Sequence, residues 1–415
     1  MIGFGRFALA VQRNEVAKVW QLMERRDFLK GSGAVLVVVA GGAVWRAYDQ
    51  GVFSIGKGLA YEPWKNWRSD NKDRPLALVR AAILAASPHN SQPWLFKVTA
   101  SDIELYADTR RSLGAFDPFM REMHIGLGCA LENMMLAAPA NGYSPCATVL
   151  PSRQEQPLSA PGPVMVAHIE LRPGTIVESV LYDAIPRRHT NRGAYVLSKK
   201  ISPKLSDALR HLGDDEPDLK LFLFTADAER AKFGNISVKA AEFIAADPQM
   251  IRDSEKWART SLSETQNLRD GIGPEAAGLP PIWTAIAQMM PPISGKLTYE
   301  LAVRQTRNVD VATSPLFGLI AVRDRYNQAQ NMTVGRVWQR MHLWATTQGL
   351  AAQPFNQAVE VVDRERSLNR KPEEPDALAE LTGDAAWQPT FMFRMGYGRR
   401  PAEASPRKPV KDVVI

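Results

Sequence analysis

The sequence predicts a globular protein of mixed helices and strands outside the doubly wound class, and three observations carry that reading. Helical and strand-like segments alternate along 415 residues without the regular strand–helix–strand rhythm of a doubly wound sheet. The one Gly-x-Gly pair with a nucleotide-loop look, Gly126-x-Gly128, lies inside a helical pattern instead of after a strand, which argues against a dinucleotide fold. With 45% hydrophobic and 23% charged residues, the chain has the composition of a globular body long enough for two packed lobes or one large duplicated domain.

The elements follow in order. From Arg74 to Ala86 the apolar positions Leu76, Leu78, Val79, Ala82, Ile83 and Leu84 predict an amphipathic helix that stops at Ser87-Pro88. Trp94–Val98 and Ile103–Tyr106 alternate as paired strands. Arg121–Ala138 carries apolar residues at helical spacing, and Gly126, Gly128 and Ala130 permit another helix to approach closely, so it is expected to be a core helix. Pro161–Leu171 reads as a strand ended by Pro173-Gly174, which sets a lobe boundary near residue 175. The second lobe is predicted to hold a helix over Val177–Arg187, a strand over Leu219–Phe224 and a helical region over Asp227–Ala258. A buried strand over Leu316–Val322, a long core helix over Val334–Gly349 and a closing strand over Thr390–Met395 complete it. Residues 48–74 read as a linker, and the Pro-rich stretch Gly278–Ser294 as a lid or surface excursion.

Charge and cysteine content exclude several functions. The net charge of +7 is unevenly placed: residues 1–47 hold seven Lys or Arg and three Asp or Glu, leaving only +3 (44 minus 41) for the rest. No broad basic face is required, so nucleic acid is not an expected partner. Cys129 and Cys146 are the only cysteines and neither belongs to a Cys-x-x-Cys pair, so no metal site is expected. Two unpaired, buried thiols are expected, with a single bridge left open. No Gly-x-Ser-x-Gly appears, so nothing suggests a hydrolytic triad.

Glu24-Arg25-Arg26-Asp27-Phe28-Leu29-Lys30, followed by the apolar run Gly31–Trp45, has the form of a twin-arginine export signal. The run of 15 residues is shorter than the ~20 that a spanning helix needs. Residues 1–47 are therefore read as a targeting segment, with the twin-arginine translocon as a partner during export. The expected location is the periplasm or the outer face of the cytoplasmic membrane. Cleavage, membrane association through an uncleaved signal, and a start at Met23 instead of Met1 all stay open.

Two motifs carry the chemistry. Ser87-Pro88-His89-Asn90-Ser91-Gln92-Pro93-Trp94 joins a helix to a strand, and Arg188-His189-Thr190-Asn191-Arg192 follows a helix with two guanidinium forks and a hydroxyl suited to a phosphate. Together they resemble the two complementary pieces of a nitroreductase-type FMN site, in reversed order. In an ordinary nitroreductase the Arg-rich stretch comes first and each flavin lies between two subunits. The reversal resembles the Acg-like branch of the superfamily and implies an α+β nitroreductase fold duplicated in one chain, a pseudo-dimer with halves at 48–175 and 176–415, and a monomer or weak dimer.

The resemblance also implies the site. Ser87, Pro88 and Asn90 would pack beside the flavin ring, while Arg188, His189, Thr190 and Arg192 would contact phosphate, ribityl chain and ring edge. Pro354, Phe355 and Asn356, after the long helix, match the segment that lines the ring. Arg407, then Lys408, match the family's basic tail at the phosphate. Trp94 and His342 are expected in the core, and Asp108, Arg110, Arg111 and Asp117 in structural salt bridges. The implied function is an FMN-dependent oxidoreductase that reduces a small quinone-like or nitroaromatic acceptor, its donor and catalytic residues unassigned. A non-catalytic flavin-sequestering protein is the alternative.

Overall fold

Two four-stranded antiparallel sheets with one shared strand order organise the chain. The computed structural model describes residues 54–68, 74–150, 161–289, 295–370 and 375–415. The targeting segment, residues 48–53 and 69–73 of the expected linker and residues 290–294 of the expected lid lie outside the described residues.

The first sheet contains β1 (Trp94–Val98), β2 (Asp102–Asp108), β3 (Tyr143–Val149) and β4 (Pro163–Pro173) in the order β1-β2-β4-β3. The second contains β5 (Leu219–Phe224), β6 (Leu316–Val322), β7 (Ala351–Pro354) and β8 (Gln388–Gly396) in the order β5-β6-β8-β7. Each sheet has a 20-residue helix between its second and third strands. The same path is thus traced twice, and the chain is a duplicated α+β structure as the sequence predicted.

The helices are α1 (Glu62–Lys65), α2 (Arg74–Ala82), α3 (Arg121–Ala140), α4 (Val180–Ala184), α5 (Pro203–Arg210), α6 (Asp227–Ala246) and α7 (Pro248–Glu255). They continue as α8 (Leu262–Leu268), α9 (Pro281–Met289), α10 (Gly295–Gln305), α11 (Gln328–Thr347), α12 (Gln357–Ser367) and α13 (Pro375–Thr382). The 20-residue helices α3 and α11 pack against each other backbone to backbone. A Cβ on Gly128 would strike the Met332 carbonyl, and one on Gly335 the Ile125 carbonyl, so the crossing requires glycine on both helices. β6 is buried on both faces along its whole length, which explains its unbroken apolar run.

The halves are further joined by exchange of the C-terminus. Phe96 of β1 donates its N–H to Val413 O at 2.8 Å, and Ile415 donates to Phe96 O at 2.9 Å, so the end of the second half extends the edge of the first sheet. The described residues all belong to one compact unit.

Several expectations are corrected. The described part of the linker is core: Ala60, Tyr61, Trp64 and Trp67 are buried, because these apolar side chains have large surfaces to remove from water. Sequence reading missed β3, whose alternating half-buried pattern is interrupted by Pro145, and β7, which is only four residues long. The expected helix over Val177–Arg187 is the short α4 followed by a tighter turn at Ile185–Arg187, where Pro186 interrupts the backbone ladder. Both cysteines are free, but Cys146 is exposed on β3 and only Cys129 is buried. Among the described residues no helix is long and apolar enough to cross a membrane.

Candidate functional site

The loop between α2 and β1 holds an unusual backbone. His89, Asn90 and Gln92 all take positive φ, at 48°, 53° and 49°, a region costly for residues with a Cβ. Surrounding bonds hold it there. Gln92 N–H donates to Ser87 Oγ at 3.1 Å, Gly271 N–H to Asn90 O at 3.2 Å, and the Gln92 amide to Arg269 O at 2.8 Å. Trp94, next along, is fully buried as expected.

Arg188 leaves the turn after α4 and is buried beneath α11. Its Nη2 donates to Leu84 O at 3.1 Å, and its Nη1 lies 3.5 Å from His342 Nδ1. Arg407 comes from the C-terminal segment, whose backbone is fixed by Arg407 N–H donating to Ala60 O at 2.7 Å. Its Nη1 donates to Asn90 Oδ1 at 2.5 Å, its Nη2 donates to Ala85 O at 3.0 Å, and its guanidinium lies 4.7 Å over the Trp64 ring.

These side chains converge on one cleft of about 430 Å³. Ser87, Asn90, Arg188, Thr190, Arg192 and Arg407 all line it. Ala86, Gly271, Ile272, Ala276, Ser405 and the exposed Glu403 complete the wall. Gly271, Ile272 and Ala276 of this wall lie just upstream of the stretch Gly278–Ser294 expected as a lid, and none of the described residues of that stretch lines the cleft.

The electrostatics of the cleft are lopsided. Among the described residues no carboxylate pairs with Arg188 or Arg407. Burial pushes the Arg188 guanidinium down to about 10, with Cys129 opposing the shift. Burial, reinforced by the Arg188 charge, pushes Arg407 well below its ordinary value. The Nε of each is buried without a hydrogen-bond partner. Arg192 is lowered by burial too, with Asp310 opposing, and donates to Ala276 O at 3.2 Å. His189 stands edge-on to Trp64 with ring centroids 4.7 Å apart, and its Nδ1 has no partner. Burial first, and then the Arg188 and Arg407 charges, drive it to about 3, so it is neutral at physiological pH. Buried cations without counter-charges are costly, and an anion in the cleft would relieve them.

Other predicted site residues go elsewhere. Pro88 packs toward Gly126 on α3. Lys408 donates its backbone N–H to Gln92 Oε1 at 2.9 Å, while its side chain lies among Arg111, Asp270, Asp412 and Asp108. Pro354 pairs with Phe393 at the end of β7, Phe355 stacks on Phe317 at 6.1 Å, and Asn356 Oδ1 accepts from Met392 N–H at 2.7 Å. None of these three lines the cleft. Sequence reasoning missed Trp64, Gly271 and Ile272. Only the aromatic density of residues 61–67 could have flagged the first. As expected, Asp108 pairs with Arg110 at 2.6 Å and Arg111 pairs with Asp270, whereas Asp117 makes no salt bridge among the described residues and instead accepts from the backbone at the start of α3.

Comparison with known proteins adds a relative. The chain is 24% identical over 338 residues to a protein of Mycobacterium tuberculosis provisionally named an NAD(P)H nitroreductase, covering 80% of this chain and 88% of the relative, in two strains alike. No protein-family model matches. Among solved structures, an FMN-bound nitroreductase from Desulfitobacterium hafniense is 11% identical at TM-score 0.35, covering 58% of this chain and 98% of that one. An FMN-dependent nitroreductase from Mycobacterium smegmatis in complex with NADPH is 13% identical at TM-score 0.35, covering 56% and 96%.

Proposed function

We propose that the chain is an FMN-dependent oxidoreductase of the nitroreductase superfamily, reducing a quinone-like or nitroaromatic acceptor. The observation that carries this reading is the pair of buried, carboxylate-free arginines, Arg188 and Arg407, beside two hydroxyls in one cleft. The residues fit the cofactor: the unpartnered Nε atoms and uncompensated charge suit a phosphate dianion, which Arg188 and Arg407 would hold with Ser87 and Thr190. The similarity to a relative named as a nitroreductase supports the same reading.

When bound, the flavin supplies the electron transfer. The chain supplies charge, position and exclusion of water. Arg188 and Arg407 neutralise the phosphate end. Arg192, the third cation in the cleft, sets a positive field that favours electron-rich states of the group it faces. Gly271, Ile272 and Ala276 form part of the wall beside these groups, and the burial of the arginines strengthens their fields.

Export through the twin-arginine route belongs to the same proposal. That route carries folded proteins, often with a cofactor in place, and a chain so exported would meet a donor other than soluble NAD(P)H.

Visible absorbance of the purified protein, recorded anaerobically before and after NADH or NADPH, tests the function. Yellow protein that bleaches establishes a flavin reductase. Yellow protein that keeps its colour points to another donor or to flavin sequestration, and colourless protein that FMN cannot reconstitute overturns the flavin reading.

A further inference from the structure

Helix α9 is inverted. Its sequence, Pro-Ile-Trp-Thr-Ala-Ile-Ala-Gln-Met, is almost wholly apolar, yet its one buried residue is Thr284, at 4% exposure. The Thr284 hydroxyl is turned inward, 3.3 Å from Pro280 O, while Ile282 is 48% exposed and Trp283 and Ile286 are half-buried. A helix on a water-facing surface ordinarily buries its apolar stripe. In sequence, no charged residue occurs from Ala276 to Gly295, between Glu275 and Lys296.

The neighbouring elements add apolar surface. Gln288 of α9 shares a second cleft, of about 340 Å³, with the apolar Ile55, Tyr61 and Leu262 and with the charged Arg259 and Glu275. The segments that wall it also carry Leu59 at 56% and Leu268 at 48% exposure. The described chain begins here, since Ser54 is itself part of the cleft wall. In sequence, the apolar run Gly31–Trp45 ends nine residues before Ser54.

We propose that α9, through Ile282, Trp283 and Ile286, rests on the surface of a lipid bilayer. A second copy of the chain is a poorer occupant: a nine-residue helix is about 14 Å long and cannot by itself supply the roughly 800 Å² per partner of a stable interface. An uncharged, Trp-containing apolar face suits the headgroup–acyl boundary, where indole rings concentrate. One short helix binds lipid weakly, and stable attachment takes two signals. The N-terminal apolar run, held at the membrane as an uncleaved signal, supplies the second. The proposal rests on that export reading and is independent of the flavin.

The test uses the full-length protein. In a Cys146→Ser background, Ile282→Cys and, separately, Ile286→Cys are labelled with an environment-sensitive fluorophore. The reference is the otherwise unchanged protein labelled at its exposed Cys146. Vesicles of phosphatidylcholine with phosphatidylglycerol are then added. A blue shift with a several-fold rise in emission at 282 or 286, and none at Cys146, is the expected result. Co-sedimentation with vesicles but unchanged emission at both helix positions would mean that the N-terminal run alone holds the protein, and the proposal falls. It also falls if all three labels respond alike, or if emission at 282 rises with protein concentration in the absence of lipid. No flavin signal is read, so a failure here is separable from a failure of the oxidoreductase reading.

Discussion

Arg407 donates from Nη1 to Asn90 Oδ1 at 2.5 Å, joining residues 317 positions apart. Through this bond the C-terminal segment of the second half anchors the strained loop of the first, and the candidate site exists only where the two meet. Asn90 is in turn committed to protein partners, its Nδ2 donating to Gly271 O and Pro406 O, both at 3.0 Å.

Substituting either arginine separates phosphate binding from ring binding. Arg188→Ala or Arg407→Ala is expected to weaken FMN by about 10–100-fold, the worth of one charge-assisted hydrogen bond. Riboflavin, which lacks the phosphate, is expected to lose far less. Fluorescence titration of each variant with both ligands checks this, and equal losses would remove the arginines from the phosphate.

Gln92 ties three strands of the site together. Its amide donates to Arg269 O at 2.8 Å and its Oε1 accepts from Lys408 N–H at 2.9 Å, Gln92 itself being fully buried and its two partners half-buried. Gln92→Ala leaves those groups unpaired and is expected to cost roughly 1–3 kcal/mol. Denaturant melts of the wild type and variant, in the presence and absence of FMN, measure it.

The helix crossing tolerates no added carbon. Gly335→Ala would drive its Cβ onto the Ile125 carbonyl, and the overpacking is expected to cost about 1–3 kcal/mol. A melting temperature equal to wild type would show that the crossing is looser than described.

A carboxyl cluster between the halves makes stability depend on pH. Glu122 of α3 and Glu360 of α12 are buried together near Asp117, Arg121, Asp363 and Tyr326. Burial, then the Glu122 charge, holds Glu360 well above its ordinary value, and burial with Glu122 raises Asp117 to about 7. A folded-state value above the unfolded one gives stability that is complete in acid and lost as pH rises through the raised value. Neutral buried histidines such as His89 and His124, both near 4, oppose this below the ordinary histidine value. The difference between wild type and Glu360→Gln therefore isolates the carboxyl: near zero at about pH 4.5, with the variant gaining as pH rises toward 8. Thermal melts across that range decide it.

The thiols offer a direct check of the packing. Cys146 is expected to react with a thiol reagent in the native protein, whereas Cys129, buried and with its thiol pushed up to about 12 chiefly by burial, reacts only on unfolding. Two fast thiols would contradict the α3–α11 core.

Local pattern was enough for much of this protein. Trp94–Val98, Leu219–Phe224 and Leu316–Val322 are strands as predicted, because alternation or unbroken apolar character declares a strand regardless of its neighbours. Gly128 signalled a close helix approach for the same reason: a missing side chain is visible in sequence. The grouping of Ser87 and Asn90 with Arg188, Thr190 and Arg192 was suggested by resemblance, and tertiary structure decided which of the suggested residues share a cleft. Only there does Arg407 become a buried cation instead of a tail residue, Trp64 a buried ring beneath its guanidinium instead of linker, and Pro354, Phe355 and Asn356 part of a separate core. Burial and the absence of a counter-charge arise when distant segments close over one another, so no single stretch of sequence encodes them.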